Sequence, residues 1–133
     1  MAIYGIGAYY GTTDVSDSFI AKGLAYVGWN KSEAPSLHEI LRYIKIGDMV
    51  YIKSAPIGQG LRVKAVGIVI DNELITDNDL GVGIKINWLW TGHEILDEID
   101  DKNNVRNNTL YEEYSKHVQL QIINLLTKKI QLK

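Results

Sequence analysis

Apolar and polar residues alternate along most of this chain with the two-residue period of strands, interrupted by two stretches of helical period. Residues 3–10 are apolar and aromatic, punctuated by Gly5 and Gly7 and followed by Gly11. They read as a first strand that something must approach closely. Residues 14–22 read as a short helix with Gly23 as its C-terminal stop. Residues 24–29 read as a second strand ending in Gly28-Trp29. Then Ser36 and Glu39 have the spacing of a capping box. Leu37, Ile40, Leu41 and Ile44 follow on one helical face, and His38 falls on the exposed side of the first turn.

Gly47-Asp48 turns the chain into a strand over 49–54, and residues 55–60, with Pro56, Gly58 and Gly60, read as a loop. Residues 61–70 form a continuous β-branched run. Arg62 and Lys64 share one face of its first half, and its second half is apolar enough for burial on both faces. The polar residues 72–79 predict a loop. Residues 81–90 predict a strand with Val82, Ile84, Ile86 and Trp88 on one face, which by the same alternation Trp90 shares. Leu110, Tyr111 and Tyr114 suggest a packed helical turn. Ser115 is placed to cap a last helix whose inner face is Val118, Ile122, Leu125 and Leu126. Residues 118–122 also alternate, so a strand is compatible there; the length of the segment favours the helix. Few strands are separated by crossover helices, which predicts an α+β domain with a curved or barrel-like sheet. No repeat, low-complexity tract or linker divides residues 1–133, so they read as a single domain.

Composition narrows the chemistry. Hydrophobic residues make up 46% and charged residues 23%, which supports a packed core and argues against disorder. The absence of cysteine removes disulfides and thiolate metal sites. The N-terminus does not read as a signal peptide, and no apolar run approaches the roughly 20 residues of a membrane span. Together these predict a cytoplasmic protein without a membrane partner. A net charge of −2 argues against a domain that holds long duplex DNA by phosphate neutralisation alone, though not against one that reads a single base or nucleotide.

Candidate sites are few. Gly5, Gly7 and Gly11 miss the dinucleotide fingerprint by one residue, and no amphipathic helix follows at once to receive a pyrophosphate. The glycines therefore mark a bulge, a close backbone approach, or room for a ligand over the strand. His93, Glu94 and Asp97 are the one cluster that could resemble a metal site, and an acidic surface turn explains them better. Lys53 and Ser54 are adjacent on a strand and so face opposite ways, which prevents the lysine from activating the hydroxyl. No cofactor, metal or catalytic constellation is called for. The aromatics say more. Trp29, Trp88 and Trp90 fall at strand ends, and Tyr9, Tyr10 and Tyr26 add further rings. Such faces stack on nucleobases or cage methylated groups. Arg106, Asn107 and Thr109 form a polar stretch able to read a base edge and hold a phosphate, though composition favours a solvated turn with Thr109 as a helix cap.

Three segments, Phe19 to Trp29, Lys45 to Ser54 and Val63 to Val69, resemble the PUA-like superfamily and its EVE-type branch. A strand ending in Gly-Trp, a helix, a Gly-Asp-x-Val strand and an Ala-x-Gly-x-Val strand occur there in this order. The resemblance spans residues 3–90 and is lost over 91–133. Similar segments also occur at the front of some bacterial restriction proteins. It implies a twisted β-barrel of about five to six strands flanked by short helices, and a non-catalytic pocket for a modified or flipped nucleobase or a nucleotide. By position, Trp29, Asn30, Lys53 and Ser54 would line that pocket, with Trp88 and Trp90 passing it. Tyr10, Arg106 and Asn107 complete the candidate set. Two other function classes are compatible with the sequence. One is a small protein-interaction factor, such as an inhibitor or accessory subunit in a restriction or phage-defence setting, using the acidic residues of 94–101. The other is a nucleotide-processing enzyme using Lys53, Ser54 or Arg106.

Overall fold

The computed structural model describes residues 1–54, 60–96 and 108–131, with side chains described to residue 128. The elements in chain order are β1 (Ile3–Gly7), β2 (Tyr9–Tyr10), β3 (Thr13–Asp14), α1 (Ser16–Lys22), β4 (Leu24–Val27), α2 (Pro35–Tyr43), β5 (Met49–Ser54), β6 (Leu61–Asp77), β7 (Gly81–Leu96), β8 (Leu110–Glu112) and α3 (Lys116–Gln131). Six strands form one curled, half-barrel sheet in the order β4-β7-β6-β5-β1-β8, and β2 and β3 form a separate hairpin. β1 and β5 run parallel; the other neighbours in the sheet are antiparallel. The α+β class and the curved sheet therefore stand as the sequence predicts.

Both faces of the sheet are covered, and its central strands alternate between two cores. Tyr4, Ile6, Val50, Ile52 and Ala65 join Phe19 of α1 and Leu41 of α2 on the first face. Ile3, Met49, Tyr51, Val63 and Val66 join Val118, Ile122 and Leu125 of α3 on the second. A strand buried on both sides has no polar face to show, which is why β5 reads as an apolar run. On the second face Tyr51, Tyr111 and Glu113 form a buried hydrogen-bonded chain. The Tyr51 hydroxyl donates to Glu113 Oε1 at 2.8 Å, so its oxygen accepts from the Tyr111 hydroxyl at 2.6 Å. The other carboxylate oxygen of Glu113 accepts the Ser115 amide at 3.1 Å, at the entry to α3. Gly5 makes space for this group: a Cβ there would lie 2.4 Å from the Tyr111 ring and 2.8 Å from the Tyr51 ring. What approaches the first strand at Gly5 is thus the protein's own aromatic pair.

The local differences from the sequence expectations have physical causes. The first strand stops at Gly7, and the chain turns at Gly11 (φ +64°) into the β2–β3 hairpin. β4 ends at Val27, two residues short of the expected Trp29. The N-cap of α2 is Ala34 rather than Ser36, because Pro35 at the first helical position has a suitable φ and no N–H to satisfy. β6 runs on to Asp77 through most of the expected loop. Within that stretch residues 72–74 have no partner on β7, between the pairs Asp71–Lys85 and Ile75–Gly83. β7 continues to Leu96. Leu110 and Tyr111 lie on a strand, not a helical turn, because β1 offers a free edge on which they pair. α3 is helical as its apolar spacing predicts, and the Val118 amide donates to Ser115 Oγ at 3.3 Å. The expected loop over 55–60 lies outside the described residues except for Gly60.

Trp88 and Trp90 do not share a face. Val66 pairs with Trp90 and Gly67 with Trp88, so β7 carries one extra residue, Leu89. This bulge sends Trp88 to the first core and Leu89 and Trp90 to the second. Gly67 faces the bulge. A Cβ there would meet Ile86 Cγ2 at 2.5 Å, the Asn87 carbonyl oxygen at 2.6 Å and the Trp88 ring at 3.0 Å. At Gly7 the same atom would meet only Lys53 Cε at 3.6 Å and the Thr109 carbonyl oxygen at 3.9 Å. Gly67→Ala should therefore cost about 2–3 kcal/mol in urea unfolding, while Gly7→Ala stays within about 0.5 kcal/mol of wild type. Equal losses at the two positions would refute the bulge as the cause.

Candidate functional site

One end of the first face carries an aromatic cleft of about 230 Å³, lined by Tyr9, Tyr10, Gly11, Gly28, Trp29 and Thr109. Hydrogen bonds fix Trp29 and Tyr10 in its walls. The Trp29 indole N–H donates to Thr109 Oγ1 at 3.2 Å. The Trp29 carbonyl accepts from His38 Nε2 at 2.6 Å; since a carbonyl can only accept, that ring nitrogen carries the proton. His38 is therefore buried, not exposed on the first turn of α2 as its position suggested. Tyr10 donates its hydroxyl to the Leu80 carbonyl at 2.6 Å and meets Phe19 edge-on at 6.3 Å. Burial, followed by the nearby Tyr26 and Asp77, pushes the Tyr10 phenol well up, so it remains a neutral donor. Gly28 lets that ring lie against the backbone, since a Cβ there would be 2.7 Å from it.

The hairpin that carries Tyr9 and Tyr10 is pinned by Lys64. Tyr9 pairs with Asp14 across the hairpin. The Lys64 ammonium forms an ion pair with Asp14 and stands 5.1 Å from the centre of the Tyr9 ring. A second bulge lies at Lys64. Between the pairs of Val63 and Ala65 with β5, β6 gains one residue, and Lys64 is that residue. Leu61 and Val63 both pack in the second core, so Lys64 keeps the face it shares with Arg62, and there it is buried against the hairpin while the bulge brings Ala65 to the same face. Burial pushes the Asp14 carboxyl up, but hydrogen bonds from Lys64 and Ser16 and the lysine charge outweigh this and leave it below its ordinary value.

The candidate residues separate into groups. Trp29 and Tyr10 come together with Tyr9 and Thr109. Thr109 is a wall of the cleft rather than a helix cap. Asn30 is exposed beside the cleft, and its side-chain oxygen accepts from the Ser32 hydroxyl at 2.7 Å and the Glu33 amide at 2.9 Å, shaping the turn into α2. Lys53 lies on the second face, 5.5 Å from the centre of the Tyr111 ring, where burial pulls its ammonium down. Ser54 ends β5 opposite Arg62. The Trp88 indole donates to the Phe19 carbonyl at 3.1 Å within the first core. Trp90 packs on the second core. Arg106 and Asn107 lie outside the described residues. Of the possible metal cluster, His93 borders a different cleft, Glu94 stands 3.9 Å from Lys128, and Asp97 is outside the described residues. Among the described residues no three ligating side chains are grouped to hold a metal.

The Tyr9–Asp14 hairpin and the Lys64 bulge were missed in the sequence. The signal for the hairpin is the Gly11 turn between Tyr9-Tyr10 and Thr13-Asp14. It was hidden because residues 3–10 also read as one strand.

In class, then, this is an α+β protein with a curled six-stranded sheet and an aromatic cleft at one end of its first face. The chain matches no protein-family model, and no curated protein sequence is significantly similar to it. Its fold is similar to the NMR structure of Rpa0253 from Rhodopseudomonas palustris, a structural-genomics target, with a TM-score of 0.56 over 100% of this chain and 96% of that one. The two are 14% identical, so the likeness extends to the fold alone. Among the described residues no helix is long and apolar enough to cross a membrane.

The Asp14–Lys64 pair carries a pH signature. A carboxyl held low in the folded state adds stability above its unfolded pKa of about 3.9, and that stability is lost as pH falls through the folded value. The difference in thermal midpoint between wild type and Asp14→Asn should be full at about pH 5 and should shrink on further acidification. A difference that stays constant down to pH 2 would show that the pair does not hold the hairpin.

Proposed function

We propose that this protein is a non-catalytic binding module whose aromatic cleft accepts one flat ring, a modified nucleobase presented by a nucleic acid or a free nucleotide. The observation that carries this reading is the state of Trp29. Its indole N–H and its carbonyl are both fixed by hydrogen bonds, yet the residue is 53% exposed. Tyr9 beside it is 55% exposed. Two large aromatics held in place with open faces form a stacking surface whose ordering cost is already met before a ligand arrives.

Size supports a single ring. Sites for drug-sized ligands run to about 300–1,000 Å³, and this cleft has about 230 Å³. A base fits, and the sugar and any phosphate would extend beyond it. We read the curled sheet, with Gly28-Trp29 directly after β4, as a PUA-like, EVE-type arrangement acting in the cytoplasm. That reading rests on the sequence resemblance together with the place of Trp29 in the cleft.

Trp29 also provides the readout. Titration with a panel of ordinary and methylated nucleobases and nucleotides should quench its fluorescence. Trp29→Ala should weaken binding roughly 5- to 100-fold by calorimetry, the equivalent of about 1–3 kcal/mol for one lost stack. Undiminished binding by Trp29→Ala would place the ligand elsewhere.

A further inference from the structure

A second cleft, of about 370 Å³, lies beside the β2–β3 hairpin and is lined by Asp14, Ser16, Asp17, Lys64, Thr91 and His93 among others. Polar groups dominate its walls, where aromatic rings dominate the first. The two clefts are neighbours. Tyr9 borders the first, Asp14 borders the second, and these two residues are paired across the hairpin. Strands in such a pair are about 5 Å apart. Lys64 belongs to both sides, ion-paired to Asp14 and over the Tyr9 ring.

The charges of the second cleft restrict what it can take. It presents two carboxylates, Asp14 and Asp17, to one ammonium, Lys64. The Lys64 side chain is 10% exposed and already committed to Asp14. A phosphate would meet a net negative wall and compete with a carboxylate for a buried lysine. A hydroxyl group meets no such penalty. It can donate to a carboxylate and accept from a hydroxyl, and Asp17 and Thr91 provide both kinds of partner.

We infer that the second cleft binds the sugar hydroxyls of a ribonucleoside whose base stacks in the aromatic cleft. This inference rests on the base-binding reading above and adds a ligand class to it: a riboside, recognised by its diol and not by phosphate. Asp17 and Thr91 are the discriminating residues. Both are exposed and neither is part of the Asp14–Lys64 pair.

The test compares, for each base in the panel, the free base, the ribonucleoside, the 2′-deoxyribonucleoside and the 5′-monophosphate by calorimetry and Trp fluorescence. The ribonucleoside should bind about fivefold or more tighter than the free base and than the deoxyribonucleoside. The 5′-phosphate should add nothing. Asp17→Asn and Thr91→Val should each bring the ribonucleoside down toward the free base and leave free-base affinity unchanged. Equal affinity for base and ribonucleoside in wild type would overturn the second cleft and leave the base reading standing. Stronger binding of the monophosphate than of the ribonucleoside would also overturn it, by showing an anion site. Failure of every compound to quench Trp29 would remove both.

Discussion

Covering both faces of one sheet is the constraint on which the rest of this structure depends. Once α1 and α2 occupy one face and α3 the other, every residue of the central strands is assigned to one of two cores by simple alternation. A side chain can leave that scheme only where the ladder itself changes count. β6 and β7 do so at Lys64 and at Leu89. The first bulge places Ala65 on the same face as Lys64, the lysine that holds the hairpin walling the aromatic cleft. The second separates two tryptophans that would otherwise stack on one side. Bulges of this kind re-aim side chains at the cost of local pairing, and here one of them lies at the only cation among the described walls of either cleft.

The same constraint explains the glycines. A sheet packed on both faces has no slack for an extra carbon where an aromatic ring crosses the strand. Gly5 yields to the Tyr51–Tyr111 pair and Gly67 to Trp88. In the sequence these glycines are visible as interruptions in β-rich runs, but what crosses them is not. An approaching ligand and an approaching internal side chain leave the same trace in a sequence.

Much of the fold was legible: the α+β class, the curved sheet, α1 with its Gly23 stop, β5, and the inner face of α3 follow from period and turn chemistry. β8 was not legible. Three residues are too few for a period to show, and their strand state depends on the free edge of β1, which lies more than 100 residues earlier in the chain. The polar end of β6 reads as a loop in the sequence because polarity reports exposure and not pairing. For the cleft, the tryptophan two residues beyond β4 was the useful signal. The sequence could not reveal that Lys53 and Trp29 approach opposite faces, or that His38 turns inward to hold the Trp29 backbone. Those are tertiary facts, set by which elements pack on each face.

The hydrogen bond from Trp29 to Thr109 joins positions 80 residues apart, and the walls of the cleft come from the hairpin, the end of β4 and the approach to β8. No short piece of chain can assemble it. Contacts of such long range contribute only after a loop-closure entropy has been overcome. The aromatic cleft is thus a record of completed topology: it comes into being only when the last strand has been added to the edge of the first.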